Sequence, residues 1–152
     1  MVQTTPTGFQ FYGATHASYV ISSNGYISFD TSDDGTQFAG PIPDGVGTAN
    51  IMPLWQDLDT IVVCKKVAGT KTIIQWTGEE FFFGVPVQFQ AILDTADNSI
   101  EYVFGPNNQS DGTDLSAIGG VQNPAGDQAT ETGDGTVAGF AAPNSSVKLT
   151  HP

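Results

Sequence analysis

Arginine is absent from this chain of 152 residues, and four lysines stand against sixteen aspartates and glutamates, for a formal net charge of −12. Phosphate backbones are gripped by Lys and Arg that displace counterions, so this balance excludes nucleic acid as a partner. It argues equally against adsorption to an anionic membrane. No apolar run approaches the roughly 20 residues of a membrane-spanning helix, so no membrane insertion is expected. A single cysteine, Cys64, rules out an internal disulfide. Within Ile61-Val62-Val63-Cys64 it reads as a small buried hydrophobe. Also missing are the HExxH, GxSxG and phosphate-loop spacings. The two histidines, His16 and His151, lie near opposite ends, and His16 reads as a surface loop residue. With neither a nucleophile–base pair nor a metal-hydrolase spacing in the sequence, no catalysis is expected. The opening Met1-Val2-Gln3-Thr4-Thr5-Pro6 lacks the basic and apolar segments of an export leader. Either a leader has been removed or the protein is not exported.

What is present favours β-structure. Val and Ile number 22 against five Leu, with 17 Thr and 10 Phe, the bias of a pleated, half-buried surface. Gly and Pro number 27, well above the usual share of about 12%. That punctuation suits many short strands. Charged residues make up 13% of the chain, about half the typical fraction. Thr, Ser, Asn, Gln and Gly supply the polarity instead, a balance suited to an extracellular or cell-surface protein.

Three hairpins are expected. Tyr19-Val20-Ile21 and Tyr26-Ile27-Ser28-Phe29 flank Asn24-Gly25, a pair favoured in two-residue turns where both positions need positive φ. Residues 61–67 and 72–76 flank Ala68-Gly69-Thr70-Lys71, and residues 87–93 and 100–104 flank a turn within 94–99. Shorter strands are expected at 9–12, 50–54, 117–121 and 146–150. Phe81-Phe82-Phe83 reads as the start of the strand that continues past Gly84 and Pro86. Residues 31–48, 105–114 and 123–135 read as loops. Gln88, Gln90 and Glu101 alternate with Phe89, Ala91, Tyr102 and Phe104, so those strands bury one face. Roughly nine or ten mostly antiparallel strands in one domain call for two packed sheets. The expected fold is an all-β two-sheet sandwich over residues 1–152. Trp55 and Trp76 read as packing residues within it.

One acidic constellation has the spacing of a ligand loop. Asp30-Thr31-Ser32-Asp33-Asp34-Gly35 has oxygen ligands at the first, third and fifth positions and Gly at the sixth, the front half of a calcium loop. The twelfth position is Pro41 rather than a bidentate Glu. Asp30, Ser32 and Asp34 are therefore candidate calcium ligands, with Asp57 and Asp59 as remote contributors. The plainer reading of Asp30–Gly35 is an Asp-rich turn leaving the strand that ends at Phe29, and Asp57 and Asp59 could equally cap a turn. Asp111-Gly112-Thr113-Asp114 and Asp134-Gly135 read as ordinary turns. No cofactor is required by this reading, and calcium is the one ion the sequence points to.

Several segments together resemble a family. Phe9-Gln10-Phe11-Tyr12-Gly13 and Tyr19-Val20-Ile21-Ser22-Ser23-Asn24-Gly25-Tyr26-Ile27-Ser28-Phe29 are followed by Ile51-Met52-Pro53-Leu54-Trp55-Gln56-Asp57-Leu58-Asp59. Ile73-Ile74-Gln75-Trp76, Phe89-Gln90-Ala91-Ile92-Leu93, Ile100-Glu101-Tyr102 and Ala117-Ile118-Gly119-Gly120-Val121-Gln122-Asn123 come next. In order and spacing, over about 9–149, the chain resembles nidogen-like domains, in particular the bacterial versions of secreted and surface proteins. Gln56 stands where an acidic residue is common, and the paired cysteines of some relatives are absent. The resemblance implies a non-catalytic extracellular module for adhesion, matrix structure or assembly, with protein or glycan surfaces, or further copies of itself, as partners. A glycan-binding module would need exposed aromatics such as Tyr12, Tyr19, Tyr26 or Trp76 along a groove. A filament subunit and a hydrolase with converging carboxylates are further alternatives.

Overall fold

The computed structural model describes residues 2–48, 50–108, 117–135 and 140–150. Among these residues the chain forms eleven strands: β1 (Val2–Thr4), β2 (Ser18–Ile21), β3 (Ile27–Ser28), β4 (Ile51–Trp55), β5 (Leu58–Ala68), β6 (Lys71–Glu80), β7 (Pro86–Asp94), β8 (Ser99–Phe104), β9 (Ala117–Gln122), β10 (Ala129–Gly135) and β11 (Ser146–Leu149). One sheet has the order β1-β2-β3-β4-β9-β10 and the other β11-β8-β7-β6-β5. Every pairing is antiparallel. This is the expected two-sheet sandwich. His151 and the Asp111–Asp114 turn lie outside the described residues.

Alternation explains the second sheet. In β7 and β8 buried and half-buried residues take turns, so one face meets the core and the other meets water. Trp76 and Phe89 stack at 5.2 Å on that inner face. Alternation fails in the first sheet, where β4 and β9 are buried at every position. The reason is residues 31–48, which lie across the outer face of that sheet. Ala39 and Ile42 cover Tyr26, Met52, Trp55 and Ile118 there, forming a second, smaller core. The segment is the loop its composition predicts, and it also serves as a cover.

Tyr102 joins the two sheets. Its fully buried hydroxyl on β8 accepts from the Met52 amide of β4 at 3.2 Å and donates to the Gly120 carbonyl of β9. It inserts where the β4–β9 register is irregular, between Met52 and Trp55, at a point where Pro53 has no amide to offer the ladder.

Several expectations are corrected. Residues 9–12 are not a strand. Positive φ at Gly8, Tyr12 and Gly13 breaks the ladder, leaving a single bridge between Phe11 and Ala14, while Phe9 and Phe11 plug the main core. The connection from β2 to β3 is longer than two residues: Ser22 pairs with Tyr26, and only Gly25 of the Asn24-Gly25 pair has positive φ. Residues 81–83 form an exposed turn rather than a strand start, and the strand begins at Pro86, where the missing amide costs nothing. Residues 129–135 are a strand, not a loop, and Asp134-Gly135 belongs to it. Cys64 is exposed, not buried, because its strand ends the sheet and is exposed on both faces from Val62 to Ala68.

Candidate functional site

One end of the sandwich is organised around Asn24. This side chain is buried, and each of its groups has a task. Its Nδ2 donates to the Gln37 carbonyl at 3.2 Å, and its Oδ1 accepts from the Leu58 amide at 3.4 Å. Its own carbonyl accepts from the Gln56 amide at 3.2 Å. One residue thus ties together the β2–β3 turn, the 31–48 cover and the step from β4 to β5. Gly25 beside it is packed so closely that a Cβ would lie 1.9 Å from the Leu54 carbonyl oxygen. The sequence marks Asn24-Gly25 as a turn but contains no sign of this bracketing role.

The acidic loop occupies the same end. Asp30 Oδ1 accepts from the amide of Ser32 at 2.9 Å and from its hydroxyl at 2.7 Å. Asp34 Oδ1 accepts from the amide of Thr36 at 3.0 Å and from its hydroxyl at 2.6 Å. These bonds, led by the hydroxyls, hold both carboxyls below the usual range. Asp33 Oδ1 accepts from the Gly35 amide at 2.7 Å and from the Tyr26 hydroxyl at 2.9 Å. Each carboxylate therefore closes its own short turn. Among the described residues, no three His, Cys, Asp or Glu side chains form a group suited to a metal ion. Asp30 and Asp34 are thus not brought together with Asp57 or Asp59 in one such group.

Asp57 and Asp59 belong instead to the root of the β5–β6 ribbon. Asp59 pairs directly with Glu79, and Leu58 with Glu80. Burial, then the charges of Glu80 and Asp59, pushes the Asp57 carboxyl up. From this root the β6–β7 turn projects. Phe81 donates its amide to the Asp57 carbonyl at 3.1 Å, and Gly84 donates to the Glu80 carbonyl at 3.0 Å. Glu80 is buried, and its Oε2 accepts from the Phe83 amide. The turn is therefore firmly held, yet its side chains stand in water: Phe82 is 69% exposed, with Phe81 and Phe83 beside it. The rings contact one another, Phe81 edge-on to Phe82 at 5.4 Å. Phe38, next to Gln37, is exposed as well. Reading the triplet as a strand start missed this surface, and the available signal was Pro86, which marks where the strand begins.

The exposed aromatics that a glycan groove would need are not found at the positions named for it. Tyr19, Tyr26 and Trp76 are fully buried, and Tyr12 is half-buried. Trp76 Nε1 donates to the Ser22 carbonyl at 2.7 Å and Trp55 Nε1 to the Gln37 carbonyl at 3.1 Å, so both tryptophans pack as expected. Desolvation pushes the Tyr19 hydroxyl up to about 12. His16 is half-buried rather than a free surface group. It stacks on Phe29 at 4.3 Å, and burial lowers its pKa.

The family model for NIDO related domains matches residues 2–149. The chain belongs to the NIDO related family. The match covers all the sheet-forming chain, including β1, which precedes the segments that carry the nidogen-like resemblance. No curated protein and no solved structure matches it. Within this NIDO related domain, Phe9, Phe11, Tyr19, Ile27, Ile51, Leu54, Trp76, Phe89 and Tyr102, all from segments that carry the resemblance, lie in the main core.

Proposed function

We propose that this NIDO related domain is a non-catalytic extracellular or cell-surface module for adhesion, matrix structure or assembly, with the end that carries residues 81–83 as its contact surface. The observation that carries the reading is the phenylalanine triplet, exposed although the turn beneath it is fixed by hydrogen bonds from Phe81, Phe83 and Gly84. Contiguous apolar surface on a rigid support marks an interaction site more often than a structural need. Asp57, Asp59 and Glu79 border the triplet along the chain and the β5–β6 register, which suits a protein partner with apolar and basic side chains together. Family membership supports an extracellular type of domain. The carboxylates of the acidic loop are occupied by local turns, which favours a binding module over a hydrolase. No cofactor is required by this role.

The test is binding of the whole chain to immobilised extracellular-matrix proteins, beside a variant with Phe81→Ser, Phe82→Ser and Phe83→Ser. The variant should keep its melting midpoint and lose at least tenfold in affinity, since exposed side chains carry binding rather than stability. Equal binding by the two proteins would sink the assignment of this surface.

A further inference from the structure

β5 ends its sheet and its residues from Val62 to Ala68 are exposed, with only Lys65 reaching across to Gln3 and the Tyr19 ring. Val62 and Val67 are 61% and 64% exposed. An uncovered strand edge carrying valines is a template for another strand. Its charges are sorted along its length. The bulge between Asp59 and Val62 leaves Asp59, Val62, Cys64 and Lys66 opposite alternate residues of β6, namely Glu79, Thr77, Gln75 and Ile73. These four β5 residues therefore share the outer face, with an acid at one end of the row and a base at the other. At the acidic end, Asp59 and Glu79 are directly opposed like charges, a destabilising pair. At the basic end, Lys66 has no carboxylate within ion-pair distance among the described residues.

We propose that two copies of this chain associate through their β5 edges, antiparallel about a two-fold axis at Val63, so that Lys66 of each copy lies opposite Asp59 of the other. The arrangement relieves both Asp59–Glu79 repulsions with the two free lysines. It sets Val62 opposite Cys64 on the outer face and continues one five-stranded sheet into the other. A two-fold contact is self-complementary and closes at a dimer. The charges also select the register, because an axis at Lys65 would oppose lysine to lysine, and like charges across a strand pair repel. Edge lysines and a bulge are the usual guards against indefinite pairing. Here the row leaves one favourable alignment open. The proposal does not depend on the adhesive role of the phenylalanine turn, which uses other residues.

Sedimentation equilibrium of the whole chain should show a monomer–dimer equilibrium that weakens as salt is added. Lys66→Glu and Asp59→Lys should each weaken self-association at least tenfold, since each change acts twice across the axis. An equimolar mixture of the two should recover a dimer, because each mismatched edge then meets its complement. For an independent reading of the register, Val63→Cys in a Cys64→Ser background should crosslink under mild oxidation, as directly opposed residues lie within disulfide reach. Native Cys64 should crosslink more slowly. A wild-type chain monomeric at millimolar concentration, no recovery on mixing, or faster crosslinking through Cys64 than through Val63→Cys would each overturn the proposal.

Discussion

Two connections in this domain carry apolar residues across exposed ground, and they end differently. Residues 31–48 lie back on the outer face of the first sheet, so that Ala39 and Ile42 seal Trp55, which is 3% exposed. Residues 81–83, three phenylalanines in succession, leave their rings in water. Hydrophobicity alone would predict the reverse. What separates them is where backbone hydrogen bonds hold each segment. Gln37 is drawn onto the sheet by Asn24 and Trp55, which share its carbonyl. The phenylalanine turn is held by Asp57 and Glu80 at its own base, which fixes its position without folding it back onto a sheet.

Gly25→Val is the severest way to break that comparison, because it disturbs the anchor beside Asn24. Valine there meets the Leu54 carbonyl and resists φ of +77°, two independent penalties that together should cost more than about 4 kcal/mol. A denaturant midpoint close to that of the wild type would refute the account of this turn. Next in size, Trp55→Ala beneath the cover should cost about 3–5 kcal/mol. Phe82→Ala on the bare turn should stay within about 0.5 kcal/mol. Similar losses for the two in urea melts would mean that the segments are not different in kind.

A smaller effect concerns Asp57. Its carboxyl is raised by burial and by Glu80 and Asp59, so the folded state holds the proton more tightly than the unfolded chain does. Ionisation therefore removes stability as pH rises past the ordinary value of 3.8. Asp57→Asn should be more stable than the wild type at neutral pH, by a few tenths of a kcal/mol given its solvent screening. That advantage should vanish on acidification below the ordinary value, and a constant difference from acid to neutral pH would refute it. Smallest of all is the response to calcium. With Asp30 and Asp34 committed to their own turns, millimolar calcium and a chelator should give melting midpoints within about 1 °C, a few tenths of a kcal/mol for a domain this size. A rise of several degrees would restore Asp30, Ser32 and Asp34 as ligands.

The legible parts of the fold were those where one face is wet and the other dry. β7 and β8 follow from their alternation, and β6 from its hairpin with β5 across Gly69-Thr70. β10 was not legible, because Ala-Thr-Glu-Thr-Gly-Asp-Gly has no large apolar residue. It is held by pairing with β9 and by Phe140, which lies against Gly119 and Gly133 where a Cβ would intrude. Cys64 was misread from the valines before it, although Lys66, two residues on and therefore on the same face, carried the correct signal. At the site, the acidic loop was legible as a turn, but its bonds to Ser22 and Tyr26 are tertiary. Asn24 gives no local sign that three segments converge on it.

β1 and β11 are the outermost strands of different sheets, with three and four residues respectively. Tension applied through these two strands would therefore load ladders of three and four residue pairs first. They would peel bond by bond rather than shear together, and their loss would leave the Tyr102 clasp between β8, β4 and β9 in place. Mechanically the two strands are short tear strips, and the one at β11 would draw Val147 and Leu149 off the main core as it parted.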